Sequence, residues 1–352
     1  MKQTCCILLM VIMTVLGVGW INITYKPKVI AWTVPKGWPK PTYRFAQNRL
    51  TEEGVALGKT LFFDPQLSAD GTIACADCHQ QFAAFTTYEH SLSHGVGNHL
   101  TNRNATALQN LAWQSNFMQD GGINHLDVQF LAPLTAPNEM GADLEKVVQY
   151  LQKNSRYPLL FKAAFGDTAV TTQRIGKAFS QYLLTLVSYN SKYDKVMRGE
   201  AQFILPEQLG YEIFKKKCVS CHREPLFTDG SFRNIGMTLD STLHDVGRMH
   251  ITLNAADSLK FRVPSLRNVA VTAPYGHDGR FYSLYNVFEH YRNQVVGGPT
   301  TDSLLRRGLP LSNYEIGQLT AFLHTLTDSV FLTNPQFGGT SFGTLKMGNH
   351  PH

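Results

Sequence analysis

Cys75-Ala-Asp-Cys78-His79 and Cys218-Val-Ser-Cys221-His222 are the stretches that decide how this chain folds. Two thiols at this spacing can each add to one vinyl group of the same porphyrin, and the adjacent histidine then reaches the iron. A zinc ribbon wants its two cysteine pairs close in sequence, whereas these lie 143 residues apart. A thioredoxin-type redox pair gives no reason for a histidine after both copies. Of six cysteines, Cys5 and Cys6 fall in an apolar leader and the rest belong to the two motifs, so none is left for a structural disulfide. Cys75, Cys78, Cys218 and Cys221 are therefore thioether donors to two covalently bound haem c groups. His79 and His222 are their proximal ligands.

The chain has 352 residues, room for two domains of about 150 residues each and a leader. No basic run is interleaved with aromatics, so no nucleic-acid partner is expected. The formal charge of +6 is mild and suits an acidic electron-transfer partner. No charge occurs between Lys2 and Lys26. About 20 apolar residues can span a bilayer as a helix, whereas a signal peptide has a shorter core and a small-x-small cleavage site. Gly17-Val18-Gly19 is a poor version of that site. Residues 1–25 are thus a cleaved signal peptide or a retained membrane anchor. Either sends the rest of the chain to the periplasm. Cys5 and Cys6 precede the apolar run, which argues against a lipoprotein box. Residues 26–42, with Pro27, Pro35, Pro39 and Pro41, read as an extended tether.

Helices are predicted from Thr51 through Phe62 and over 104–112, 143–153 and 171–190. Pro206 opens another that runs into Cys218. A last one covers 312–327, capped by Ser312, with Ile316, Leu319, Phe322, Leu323 and Leu326 along one side. Strand-like alternation is scarce. The expected fold is mainly α: two cytochrome c-like haem domains in tandem, related by duplication, behind the N-terminal apolar leader or anchor. The expected divisions are 43–195 for the N-terminal haem domain, 196–330 for the C-terminal one, and 331–352 for a tail packed back onto the first.

An electron carrier needs two axial ligands per iron. A peroxidase needs one iron with an open face and a group that moves peroxide's protons. Eleven further histidines and several methionines leave that choice open.

An ordered set of stretches narrows it. These are Leu57-Gly-Lys-Thr-Leu-Phe-Phe-Asp64, the first haem motif, Arg103-Asn-Ala-Thr-Ala-Leu-Gln-Asn110, Asp120-Gly121, Pro137-Asn-Glu-Met-Gly141, the second haem motif, and Val263 through Gly279. Over most of residues 50–330 the chain resembles the bacterial di-haem cytochrome c peroxidase family, which includes the MauG-type enzymes of methylamine utilisation. The resemblance implies that Glu139 is the distal carboxylate of the N-terminal, peroxide-reacting haem, with Gln129 the glutamine beside it. It makes His94 a mobile-loop histidine that ligates the N-terminal iron in some states, with His90 and His99 as rivals. It makes Asn104, Thr272 and Pro274 oxygen donors to an inter-domain Ca²⁺, and puts His277 near the C-terminal haem. Peroxidases of the family carry a methionine ligand seventeen residues after the proline matching Pro274. Here that residue is Tyr291, as in MauG-type enzymes, with His290, Met237 and Met249 as alternatives. The usual inter-haem tryptophan is Gln119, which cannot hold an oxidising hole as an indole does.

The activity so implied is reduction of hydrogen peroxide to water, with electrons from a small cytochrome or cupredoxin entering at the His222 haem. A MauG-like oxidase of a partner protein and a non-catalytic di-haem electron carrier are the competing functions. The family is often dimeric.

Overall fold

The computed structural model describes residues 26–339. Residues 1–25, with the question of signal or anchor, and residues 340–352 lie outside the described residues. Among the described residues no helix is long and apolar enough to cross a membrane.

The structure is mainly helical and consists of two units built alike. In each, an opening helix crosses a closing helix, and the haem motif follows the opening one. In the first unit these are Glu52–Phe62 and Thr172–Leu183; in the second, Leu205–Lys217 and Asn313–His324. Both crossings depend on a glycine. A Cβ on Gly58 would stand 1.9 Å from the Ala178 carbonyl oxygen, and one on Gly210 would stand 2.0 Å from that of Gln318. The helix backbones therefore touch, and larger side chains pack on either side. Leu57, Leu61 and Phe62 meet Ile175, Phe179 and Tyr182 in the first core. Phe214 meets Leu319, Phe322 and Leu323 in the second.

The caps are where local chemistry puts them. Thr51 Oγ1 accepts from Gly54 N at 3.0 Å, and Ser312 with Glu315 forms a capping box. The helix expected over 143–153 is Leu144–Lys153, capped by Asp143. Two expectations differ. Residues 104–110 form no helix, and only the single 3₁₀ turn Leu111–Trp113 follows. Asn110 is left-handed there (φ 59°). Its N–H goes to Leu186 O and that of Asn104 to His277 O, so distant partners replace the helical ladder. The helix expected over 171–190 stops at Leu183, because Ser188 N donates to the side chain of Asn110 instead.

Residues 26–42 are extended, yet lie along the first unit. Ile30 N donates to Leu50 O, and Trp32 Nε1 to Leu184 O. Trp32 and Trp38 flank Trp113, with ring centroids 5.4 and 4.8 Å away. The chain after the closing helix of the second unit returns to the first. Phe331 is buried against Phe85, and Tyr182 donates its hydroxyl to Phe337 O. A polar seam joins the units. Gln109 Nε2 donates to Arg267 O at 2.6 Å, and Asn268 donates to Gln109 and to Ser188 Oγ.

Candidate active site

Both motif histidines are held by backbone carbonyls. His79 Nδ1 lies 2.7 Å from Phe85 O. His222 Nδ1 lies 3.1 Å from Phe227 O and 3.2 Å from Pro264 O. A carbonyl only accepts, so each Nδ1 carries the proton and each Nε2 keeps its lone pair. That is the tautomer and the ring support a metal-ligating imidazole requires. Phe85 and Phe227 are wholly buried, and both have left-handed backbones (φ 60° and 55°) that turn the carbonyl back to the histidine. Burial lowers both imidazole pKa values, opposed by these same hydrogen bonds, and favours the neutral, ligating form. The sequence reading missed this pair; the one sign of it is a phenylalanine shortly after each motif.

The first thiols sit on the single helical turn Cys75–Cys78, whose start is closed by a 2.7 Å bond from Ala74 N to Asp77 Oδ2. The second pair follows the opening helix directly. Beside it lies a cavity of about 320 Å³ lined by Cys218, Cys221, His222, Met237 and Tyr291, with Phe214, Leu284, Phe288 and Leu323 among its apolar walls. Two thiols, one supported imidazole and an apolar slot are the donor set and shape that a covalent porphyrin requires. The residues present fit that group.

Glu139 belongs to the first motif's surroundings. Burial pushes the Cys75 thiol up to about 12, and the Glu139 carboxylate adds to the upward push on both Cys75 and Cys78. Glu139 itself is held above the usual carboxylate range by burial, partly opposed by the Arg103 guanidinium. Arg103 is fixed by Asp245 of the second unit (2.6 and 2.8 Å) and by Asp120 (2.6 Å). The cation that opposes the burial of Glu139 is thus held by an inter-unit ion pair. Arg103 appeared in the sequence only as part of a family stretch.

The Glu139 loop is clamped by the loop carrying His94. Val96 N donates to Glu139 O at 2.8 Å, and a Cβ on Gly95 would come within 2.4 Å of both Asn138 O and Glu139 O. Gly95→Ala must displace the Glu139 loop. We expect it to lower kcat/KM for peroxide by up to roughly 10²-fold, with haem content unchanged in a pyridine haemochrome assay.

The remaining expected residues divide. His94 is exposed, its ring 5.4 Å from that of His90. Gln129 ends the short helix Leu126–Gln129 and donates to Met118 Sδ at 3.7 Å rather than to Glu139. Tyr291 lies in a π-helical turn, His290–Gln294, of the kind that often marks functional positions. It lines the cavity with Cys218 and Cys221, and burial drives its phenol pKa far up, with the two thiols adding. His290 is turned to Ile235 O (2.9 Å), and Met249 sits in the short helix Met249–Thr252 away from the cavity lining. Asn104, Thr272 and Pro274 line the same cavity, and the Asn104 amide nitrogen donates to Ser91 O. His277 stacks on Phe261, with ring centroids 3.9 Å apart. Gln119 bridges the units: its side chain donates to Asn104 O, and its carbonyl accepts from Arg262 N.

Comparison with known proteins identifies the family. The family model of di-haem cytochrome c peroxidase matches residues 52–202. The methylamine utilization protein MauG of Methylophilus methylotrophus is 36% identical over 289 residues, covering 79% of this chain and 84% of the relative. The chain belongs to the di-haem cytochrome c peroxidase family. Another member of that family, the cytochrome c551 peroxidase of Nitrosomonas europaea, is 32% identical over 277 residues, covering 77% of this chain and 79% of its own length. Among solved structures, a MauG-like protein associated with microbial copper homeostasis superposes with a TM-score of 0.80 at 31% identity, covering 87% of this chain and 98% of the other. These relatives extend the di-haem peroxidase assignment, with its two haem c groups, across the second unit.

Proposed function

We propose that this di-haem peroxidase reduces hydrogen peroxide to water at the first haem site, with electrons delivered one at a time by a small reduced cytochrome or cupredoxin through the second. The observation that carries the reading is the inequality of the two sites. The first has a half-buried carboxylate of raised pKa near its thiols; the second has a half-buried phenol lining the cavity with its own. A haem held by Cys75, Cys78 and His79 would supply the redox-active iron for that chemistry. The overall change, H₂O₂ + 2 H⁺ + 2 e⁻ → 2 H₂O, needs a group that takes a proton from one oxygen and returns it to the other. Glu139 is that group, and Gln129 is the proposed neutral partner beside it. His79 would ligate that iron, with its ring fixed by the bond to Phe85 O. His94 is the proposed state-dependent ligand of the same iron.

On the second iron the proposed ligands are His222 and Tyr291. A phenolate favours the ferric state relative to a thioether. Tyr291→Phe is expected to change the ferric absorption and EPR signals of one haem and to raise its potential; unchanged spectra would rule out ligation. Asn104, Thr272 and Pro274 are the proposed Ca²⁺ donors, all of the oxygen type that ion prefers. The haem c chemistry and the apolar leader support export to the periplasm, as a soluble or membrane-tethered protein and as a monomer or homodimer.

A second reading, peroxide-dependent oxidation of a partner protein, is favoured by Tyr291 and opposed by Gln119. Holoprotein that consumes no peroxide with a reduced cytochrome donor, even after pre-reduction, would sink the peroxidase reading. It would leave the partner-oxidase or electron-carrier reading.

A further inference from the structure

Arg262 is a half-buried cation on the wall of an internal cavity, without an acid beside it. It stands on the short antiparallel ladder that pairs Phe232 with Arg262, and it lines the cavity beside His222 and Tyr291. Its side chain has one long hydrogen bond, from Nε to Met118 O at 3.5 Å. Among the described residues no carboxylate pairs with it. The other cations lining that cavity are neutralised. Lys217 meets Glu315 at 2.6 Å, and Arg233 meets Asp302 at 2.7 Å and Asp229 at 3.0 Å. The cavity lining contains no Asp or Glu at all. Burial alone pulls the Arg262 pKa down to about 10, so the group stays charged at neutral pH. Protein encloses it, yet it keeps accessible surface, as a side chain facing an internal space does.

An enclosed, uncompensated guanidinium is strongly unfavourable unless something anionic occupies the space in front of it. Its planar fork matches a carboxylate. The group that the cavity's thiols and histidine fit is haem, whose only anionic substituents are its two propionate carboxylates. We propose that Arg262 binds a propionate of the haem carried by Cys218 and Cys221, at the seam where Met118 and Gln119 of the first unit meet the second. The inference rests on the haem reading of the second motif. It gives Arg262 two effects: it ties the second haem to the first unit's backbone, and it places a positive charge that favours the reduced iron.

The test uses holoprotein carrying Arg262→Gln or Arg262→Lys. A haemochrome assay first counts haems; fewer than two per wild-type chain would remove the haem reading itself, whatever Arg262 does. Redox titration across pH and resonance Raman of the propionate bending bands then follow. R262Q is expected to lower the potential of the His222 haem, to give it a new pH dependence as the freed propionate titrates, and to shift one bending band. R262K keeps the charge but loses the fork, so it should retain more of the potential and still move the band. If R262Q fails to mature, the R262K band decides. Unmoved bands and an unchanged potential in a fully loaded variant would overturn the proposal. So would a response that appears only with added chloride or phosphate, which would assign Arg262 to a diffusible anion.

Discussion

Replacing Glu139 with glutamine will lower kcat/KM for peroxide by roughly 10²–10⁴-fold, the usual worth of a positioned acid/base group. The amide keeps the size of the side chain and its loop, because the contacts that fix that loop are backbone ones: Val96 N to Glu139 O, and Glu139 N to Ala136 O. The substitution therefore tests the proposed proton transfer rather than the loop. The pH profile supplies the sign. Burial holds the Glu139 pKa above the usual carboxylate range, with Arg103 opposing in part. Accepting peroxide's proton requires the ionised form. In the wild type kcat/KM should therefore fall as pH drops through a value above that of an ordinary glutamate. Glu139→Gln should abolish this acid limb along with most of the rate. Arg103→Gln removes the opposing cation and should move the limb to higher pH. Stopped-flow oxidation of a reduced cytochrome by peroxide, at matched haem content, measures all three. Wild-type turnover in E139Q, or an acid limb that survives it, would end the assignment of Glu139.

Much of this was legible in the sequence because it is local. Each C-x-x-C-H motif is five residues long, and the Thr51 and Ser312 caps are satisfied within three residues. The amphipathic faces of the opening and closing helices follow from periodicity alone. What was not legible depends on partners far along the chain. The stretch 104–110 has helix-compatible residues, yet its backbone groups go to His277 and Leu186. The prolines of 26–42 do give extended chain, but proline content carries no information about where such chain lies. Trp32 and Trp38 were the better clue, since large aromatics rarely stay free in solvent. The supports of the haem histidines escaped for another reason. A backbone carbonyl has no residue type, so Phe85 and Phe227 look like ordinary core aromatics until their left-handed backbones are seen. Arg262 escaped likewise: a missing counter-ion cannot be read from a one-dimensional sequence.

Arg267→Met will destabilise the protein by about 3–5 kcal/mol, the range for breaking one side of a buried ion pair. The Arg267 side chain is fully buried and that of Asp194 is 6% exposed. The guanidinium donates to both Asp194 oxygens at 2.9 and 2.8 Å and to Pro225 O at 2.8 Å. It also lies 4.5 Å from the Trp38 ring centroid and 5.6 Å from that of Phe227. One side chain thus gathers the N-terminal extended segment, the end of the first unit and the phenylalanine whose carbonyl holds His222. Methionine fills similar volume, so the loss comes from charge and hydrogen bonding rather than from a cavity. It leaves the Asp194 carboxylate buried beside only the short-range donors of Ser191, 2.8 and 2.9 Å away. Burial raises the Asp194 pKa, but Arg267 and Ser191 together hold it below the ordinary aspartate value. A depressed pKa contributes stability that is present above the unfolded-state value and is lost as pH falls through the folded one. The wild type should therefore lose this contribution only in strong acid, and Arg267→Met should already lack it at neutral pH. The double variant Arg267→Met/Asp194→Asn separates the causes. If the cost is an orphaned charge, the double variant recovers part of what the single one loses; if it is lost packing around Trp38 and Phe227, it recovers nothing. Denaturant midpoints of the holoproteins at matched haem content measure both. A single-variant loss below about 1 kcal/mol, the range of an exposed pair, would show that this ion pair does not hold the units together.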